Sequence, residues 1–297
     1  MRVGFIGLGI MGKPMAKNII KDGFETYLFD LSSDAINELA EIGGHACNST
    51  KEVAENSEII FTMLPTGEHV FQVIFSKNGL AENSKPKTII IDMSSVTSEE
   101  SKELASKLKS YDIHFIDAPV SGGEPMAIEG NLSIMAGGDE KQFNKALPVL
   151  KTMGENIVLF GENGTGSAAK LANQIIVSTN LVALSEACVY ASKAGIDLNK
   201  LFEAIRGGLA GSAVMDAKMP FIIERNFEPG GRLETNYKDL KNIQSSATAI
   251  GAPLPVTNLV KEIFSSEIVH GNSEKDHSYV INFFERMANY QTSKGSK

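Results

Sequence analysis

Short apolar runs at residues 3–6, 27–29, 59–64, 89–91 and 114–116 alternate with amphipathic stretches over the first part of the chain. Runs of that length, separated by helix-like segments, predict βαβ units wound around a parallel sheet buried on both faces. Thr97-Ser98-Glu99-Glu100 reads as a capping box, with Thr97 as the cap of a helix and Glu100 answering three residues later. After Gly164-Thr165-Gly166 the pattern becomes one long helical segment over 167–194, which Gly195 terminates. Its apolar residues are spread around the helix, which predicts packing on more than one side, against the first domain and against other helices. Further helical runs fall at 199–206, 238–250, 257–266 and 276–289, and the polar tail at 291–297 is expected to fray. The expected architecture is α/β: a doubly wound sheet over 1–163, then an all-helical domain over 164–297 that begins with the long interdomain helix.

Composition narrows the function without naming it. A chain of 297 residues fits two domains better than one. A net charge of −8 argues against nucleic acid and anionic membranes as partners, since both are bound through clustered Lys and Arg. Cys47 and Cys188 stand far apart and outside any CxxC spacing, so they are expected to be buried, reduced thiols. His45, His69, His114, His270 and His277 show no spacing that gathers metal ligands, and no metal site is expected. The most apolar segment, 175–191, carries Ser178, Asn180, Ser185 and Glu186 and falls short of the roughly 20 uninterrupted apolar residues of a membrane span. The N-terminus starts directly on a strand-like run without the three-part pattern of a secretory signal, and a cytoplasmic location is expected.

The chemistry concentrates at four places. Gly7-Leu8-Gly9-Ile10-Met11-Gly12 follows a strand and precedes a helix, the context in which GxGxxG binds a dinucleotide. The first Gly allows the tight turn, the second lets backbone approach a pyrophosphate, and the third lets the helix pack closely, so the sheet is read as Rossmann-type. Asp30 ends the next strand, where a carboxylate accepts hydrogen bonds from the adenosine ribose and repels a 2′-phosphate, and Leu31-Ser32-Ser33 supplies no Arg to pair with one. NAD is therefore expected over NADP. Asp117-Ala118-Pro119-Val120-Ser121-Gly122-Gly123 follows another strand, and a hydroxyl flanked by two glycines suits a small carboxylate. Lys170 lies near the start of the long helix, with Asn173 and Gln174 on the same face, and a shielded lysine can exchange a proton with an alkoxide. Lys238-Asp239-Leu240 reads as the opening of a later helix, with Lys238 placed to close over an anionic cofactor and substrate.

These motifs, in this order and over nearly the whole chain, resemble the β-hydroxyacid dehydrogenase family: GLGIMG from Gly7, DAPVSGG from Asp117, GxGxxxK from Gly164 to Lys170, and KDL from Lys238. The resemblance implies an NAD-dependent oxidoreductase passing hydride between the cofactor and a small carboxylate-bearing hydroxyacid or semialdehyde, with the helical domain serving substrate binding and assembly into a homo-oligomer, a dimer or tetramer. It implies that Lys170 is the acid/base, that Ser121, Gly122 and Gly123 hold the substrate carboxylate, and that Lys238 helps to close the site. Leu64, Pro65 and Ser95 resemble the family's further cofactor contacts near the nicotinamide. Lys170-Leu171-Ala172-Asn173-Gln174 and the stretch 211–239 run closest to the branch that reduces tartronate semialdehyde to glycerate. Many relatives carry Asn four residues after the lysine, where this chain has Gln174, so either Asn173 or Gln174 orients the substrate. Rival readings are a 3-hydroxyisobutyrate, succinic semialdehyde or glyoxylate enzyme, a phosphogluconate-type decarboxylating dehydrogenase, for which the C-terminal region is short, and a silent dinucleotide-binding scaffold.

Overall fold

The computed structural model describes residues 1–292. The chain divides into two compact units, Met1–Lys170 and the part from Leu171 onward. In the first, the strands are β1 (Arg2–Ile6), β2 (Glu25–Phe29), β3 (His45–Ala46), β4 (Ile59–Thr62), β5 (Ile89–Asp92), β6 (His114–Asp117), β7 (Val120–Ser121), β8 (Leu132–Gly138) and β9 (Gly154–Leu159). Between them run α1 (Gly12–Lys21), α2 (Ser33–Ala40), α3 (Thr50–Asn56), α4 (Gly67–Phe75), α5 (Leu80–Asn83), α6 (Ser98–Leu108), α7 (Gly123–Glu129) and α8 (Glu140–Leu150). The strand order β3-β2-β1-β4-β5-β6 is parallel throughout and reverses direction of growth between β1 and β4. That order is the doubly wound Rossmann topology, whose ligands bind at the carboxyl ends of the strands beside the reversal.

Both faces of this sheet are buried, as continuous apolar strands require. Val3 and Phe5, Ile59 and Phe61, and Ile89 and Ile91 face one core with α1, α7 and α8. Ile6, Ile60 and Ile90 point into the other, against α3, α4 and α6. The period of two inside each run separates the two cores. The sheet departs from the all-parallel expectation at its far side, where β8 runs antiparallel to β6 and to β7. The link from β6 to β8 passes through β7 and the seven-residue α7 rather than a full crossover helix, which a parallel return needs. The capping box at Thr97 forms as expected: its hydroxyl accepts from the Glu100 amide at 3.1 Å, and the Glu100 carboxylate accepts from the Thr97 amide at 2.8 Å.

The second unit is helical. The long helix α9 (Thr165–Lys193) runs across the unit boundary, and α10 (Leu198–Ile205), α11 (Ala213–Glu224), α12 (Leu233–Ile250), α13 (Pro255–Val269) and α14 (Ile281–Ala288) follow. Leu171, Leu181 and Val182 of α9 enter one core with α12 and α13, while Leu184, Cys188, Val189 and Ala191 enter another with α11. At 29 residues α9 is, by length and composition alone, apolar enough to cross a membrane, contrary to the expectation drawn from its polar residues; 44% of its most apolar stretch is buried within the protein. Burial pushes the Cys47 thiol up to about 11, with Glu52 adding to the effect, and the Cys188 thiol up to about 12.

Three helical expectations need correction. α11 has no counterpart among the expected segments because Pro220 sits inside it, and a proline argues against a helix interior. α12 begins at Leu233, so Lys238 lies in its second turn rather than opening it; Leu233 and Leu240, two turns apart, both face the core. The segment at 276–289 is split into a 3₁₀ turn, His277–Val280, and α14. The start of the polar tail is fixed rather than frayed: Thr292 is buried and donates from its amide (2.9 Å) and hydroxyl (2.6 Å) to Glu285, which also pairs with Arg225. The rest of the expected tail, 293–297, lies outside the described residues.

Candidate active site

The turn between β1 and α1 follows the expected division of labour among its glycines. Gly7 adopts φ +96°, and a Cβ there would strike the Met63 carbonyl. A Cβ at Gly9 would meet nothing within 4 Å, which leaves its backbone open to a ligand. A Cβ at Gly12 would strike the Gly7 carbonyl, so the third glycine sets the close approach of helix to turn. The first α1 amide bonded along the helix is that of Lys13, to the Gly9 carbonyl at 3.0 Å, and Met11 offers no side-chain cap. Amides at such a helix start suit a pyrophosphate.

Asp30 ties this turn to the end of β2. Its Oδ2 accepts from the Leu8 amide at 2.5 Å and its Oδ1 from the Ser32 amide at 2.7 Å. Asp30 therefore braces the glycine turn, and the N-cap position of α2 belongs to Ser32. At the ends of β4 and β5, the Leu64 amide donates to Ser94 Oγ at 2.9 Å, and Ser94 donates in turn to Asp92 Oδ1 at 2.6 Å. Thr62 Oγ1 donates to the same oxygen at 2.8 Å. Leu64, Pro65 and Ser95 thus flank a loop pair braced by a fully buried carboxylate. Burial pushes the Asp92 carboxyl up to about 6 against the pull of the Ser94 and Thr62 hydrogen bonds, with Asp117 adding to the rise.

Ser121 ends β7 and pairs with Ser133 of β8. Gly122 (φ +140°) and Gly123 (φ +71°) then take backbone conformations that L side chains rarely adopt, and a Cβ at Gly123 would meet nothing closer than 3.8 Å. Lys170, five residues into α9, is only 8% exposed, which sets it apart from a solvated surface lysine. Within the second unit, Gln174 Nε2 donates to Asp239 Oδ2 at 2.7 Å, Asn173 Nδ2 donates to Gln174 Oε1 at 3.0 Å, and Lys238 Nζ lies 3.5 Å from Asp239 Oδ1. Asp239 is buried, so this amide-to-carboxylate chain has a fixed geometry.

The glycines, Asp30, Leu64 and the loop before Ser95 therefore come together at the carboxyl ends of β1, β2, β4 and β5, and Asn173, Gln174 and Lys238 come together around Asp239. Sequence reasoning passed over Asp92, Asp117 and Asp239 as working residues. The first two carried a signal, a carboxylate ending an otherwise apolar strand at the ligand-binding end of the sheet, as in Ile-Ile-Ile-Asp and Phe-Ile-Asp.

Topology and glycine turn together define a nicotinamide-dinucleotide-binding Rossmann domain followed by a helical domain. Residues 2–161 match the NAD binding domain of 6-phosphogluconate dehydrogenase, and residues 164–284 match the NAD-binding domain of NADP-dependent 3-hydroxyisobutyrate dehydrogenase. The chain is 40% identical to 2-hydroxy-3-oxopropionate reductase of Escherichia coli (strain K12), over 98% of this chain and 99% of that one. It is 36% identical to 2-(hydroxymethyl)glutarate dehydrogenase of Eubacterium barkeri, over 99% and 98%. The crystal structure of 3-hydroxyisobutyrate dehydrogenase from Salmonella typhimurium superposes with a TM-score of 0.88 at 29% identity, covering 96% of this chain and all of that one. The chain belongs to the β-hydroxyacid dehydrogenase family and is an NAD(P)-binding oxidoreductase acting on small hydroxyacids or their semialdehydes.

Proposed function

We propose that the chain is an NADH-preferring reductase of tartronate semialdehyde (2-hydroxy-3-oxopropionate), forming glycerate. The observation that carries this reading is the burial of Lys170 on the helix that begins with the GxGxxxK motif. A lysine withdrawn from water loses part of the preference for its charged form and can trade a proton with a substrate oxygen. The Gly7–Gly12 turn would hold the pyrophosphate of the reduced dinucleotide, which would supply the hydride. Lys170 gives its proton to the oxygen of the aldehyde as that oxygen gains charge. Ser121, Gly122 and Gly123 hold the substrate carboxylate and so present one face of the carbonyl. Asn173 donates to Gln174 and Gln174 to Asp239, and one of these two linked amides, Asn173 or Gln174, orients the substrate. Lys238, beside Asp239, closes the site over the anionic ligands.

NADH is favoured over NADPH by the Asp30 carboxylate, which two backbone amides hold in place where a 2′-phosphate would lie. The identity to the E. coli enzyme supports the choice of substrate, a three-carbon acid with an aldehyde. Large apolar side chains exposed on the second unit, among them Ile176, Tyr190, Leu259 and Val269, support a homo-oligomeric enzyme, and we place it in the cytoplasm.

Initial rates with NADH and NADPH against tartronate semialdehyde, succinic semialdehyde, methylmalonate semialdehyde and glyoxylate test the assignment. Efficient turnover of tartronate semialdehyde with NADH is the expected result; preference for another member of the panel overturns the substrate, and preference for NADPH overturns the role of Asp30. Lys170→Ala is expected to lower kcat by about 10²-fold or more, the scale of general acid–base catalysis, with NADH binding little changed.

A further inference from the structure

We propose that Asp117 is the positioning residue for Lys170: a carboxylate from the sheet that caps the start of α9 and fixes where the lysine stands. The inference rests on the reading of Lys170 as the proton donor. The first turn of any helix leaves amide N–H groups without a partner inside the helix. At α9 the partner comes from β6, about 50 residues earlier: Asp117 Oδ1 accepts from the Gly164 amide at 2.7 Å and Oδ2 from the Ser167 amide at 2.8 Å. The helical ladder takes over at the next residue, where the Ala168 amide donates to the Gly164 carbonyl at 3.0 Å. A negative charge at this end of a helix is also favoured by the helix dipole.

Three further ties hold the same turn against α6 and β6, all within the first unit. Ser98 Oγ donates to the Gly164 carbonyl at 2.9 Å, Ser101 and Ser167 share a hydroxyl hydrogen bond of 2.8 Å, and Asn163 donates to the Phe115 carbonyl at 2.8 Å. A Cβ at Gly166 would come within 2.6 Å of the Asp117 carbonyl, so the backbone of the turn rests directly on the strand. Lys170 follows Gly166 by four residues and Ser167 by three, which puts it directly above the capped turn. A lysine side chain is long and flexible, and the position of its base decides which atoms its amine can reach. Asp117 itself is fully buried with both oxygens committed to amides, so it acts through the helix and does not touch the reacting atoms.

The test compares Asp117→Asn, Lys170→Ala and the double variant in the full-length enzyme, with kcat and the KM for NADH read separately. Asp117→Asn keeps the shape, removes the charge and turns one acceptor into a donor facing an amide. It is expected to lower kcat about tenfold or more, within the range that misplacing a catalytic group costs, while the KM for NADH stays within about twofold. Added to Lys170→Ala, it is expected to change the residual rate by less than about twofold, because the group it positions is gone. An unchanged kcat in Asp117→Asn, a full multiplicative loss on the Lys170→Ala background, or a KM for NADH that worsens in step with kcat each overturn the proposal. If Lys170→Ala turns over normally, the reading of Lys170 fails; if only Asp117→Asn does, the positioning role alone fails. Should Asp117→Asn not fold, the pair Ser101→Ala and Ser167→Ala, which loosens the same turn more gently, carries the same comparison with an expected loss of about threefold to fivefold in kcat.

Discussion

Each of the two units uses a fully buried aspartate to gather backbone amides, and among the described residues a lysine pairs with the second of them. In the first unit Asp117 takes the amides of Gly164 and Ser167 and has no ion-pair partner among the described residues. In the second, Asp276 takes the amides of Gly230 (3.1 Å), Gly231 (3.0 Å) and Ser278 (3.0 Å), and Lys218 Nζ stands 2.8 Å from it. Burial pushes the Asp117 carboxyl above its ordinary range despite its amide donors. At Asp276 burial pushes the same way, but the positive character of His277, hydrogen bonds from Lys218 and Ser278, and the Lys218 charge outweigh it, and the carboxyl lies below its ordinary range. Amides alone leave a buried charge costly to keep; a cation makes it secure.

The largest expected effect removes the cation from that contrast. Lys218→Met leaves Asp276 buried with its three amides and the Ser278 hydroxyl but without its lysine, and breaking a buried pair from one side costs about 3–5 kcal/mol. Urea unfolding of the variant checks this. A loss below about 1 kcal/mol would mean that the amides suffice and that the cation is incidental. The sign of the pH response adds a second reading. The unmodified Asp276, with its lowered value, contributes stability above its ordinary titration range and loses it in acid; in the variant that contribution should weaken or reverse.

The difference between the units also explains what could be read from the chain. In the first, backbone does the work of binding, and backbone function leaves residue-type traces: Gly7 for a left-handed turn, Gly9 for an open face, Gly12 for close packing, all visible as a spaced motif beside alternating apolar strands. The same logic made Lys170 legible as part of a motif. Asp117 escaped because its partners, Gly164 and Ser167, lie about 50 residues away, and no local pattern encodes a cap supplied from another strand. In the second unit the network of Gln174 and Asp239 spans 65 residues, and α11 carries a proline that hides it from periodicity. Helix packing there is specified by pairs of contacts rather than by special backbone, so the class of the unit was legible and its internal wiring was not.

A middle-sized effect comes from His277, the neighbour of Asp276. Both ring nitrogens are buried without a hydrogen-bond partner among the described residues, and burial, aided by the Lys218 charge, holds the pKa down to about 4. A histidine whose folded value lies below its unfolded one adds stability above the unfolded value and loses it as pH falls from about 6.5 toward 4. His277→Phe keeps an aromatic ring against Gly231 and removes the titration. The drop in melting temperature between pH 7 and pH 4.5 is expected to be shallower in the variant by the equivalent of about 1–3 kcal/mol. An unchanged slope would show that another group governs the acid response.

The smallest expected effect returns to the first unit, at the carboxylate next to Asp117 in register, Asp92. Among the described residues it has no cation and its Oδ2 has no hydrogen-bond partner, and its value is raised to about 6. A carboxyl raised in the folded state takes up its proton more readily there than in the unfolded chain. Its contribution therefore becomes more favourable as pH falls from about 6 toward 4, and above 6 the buried charge is a cost. Asp92→Asn removes that cost, but its –NH₂ stands either unpartnered at the Oδ2 position or against the Thr62 and Ser94 donors that Oδ1 now accepts, and an unsatisfied buried donor costs about 1–3 kcal/mol in its own right. The two terms largely cancel, so the variant should differ from the parent by no more than about 1 kcal/mol at either pH, and the informative quantity is the change in that difference. Melting temperatures at pH 5 and pH 8 should place the variant relatively higher at pH 8. Equal differences at the two pH values would mean that Asp92 is uncharged or unperturbed throughout, and the contrast between amide-held and cation-held carboxylates would then rest on Asp117 alone.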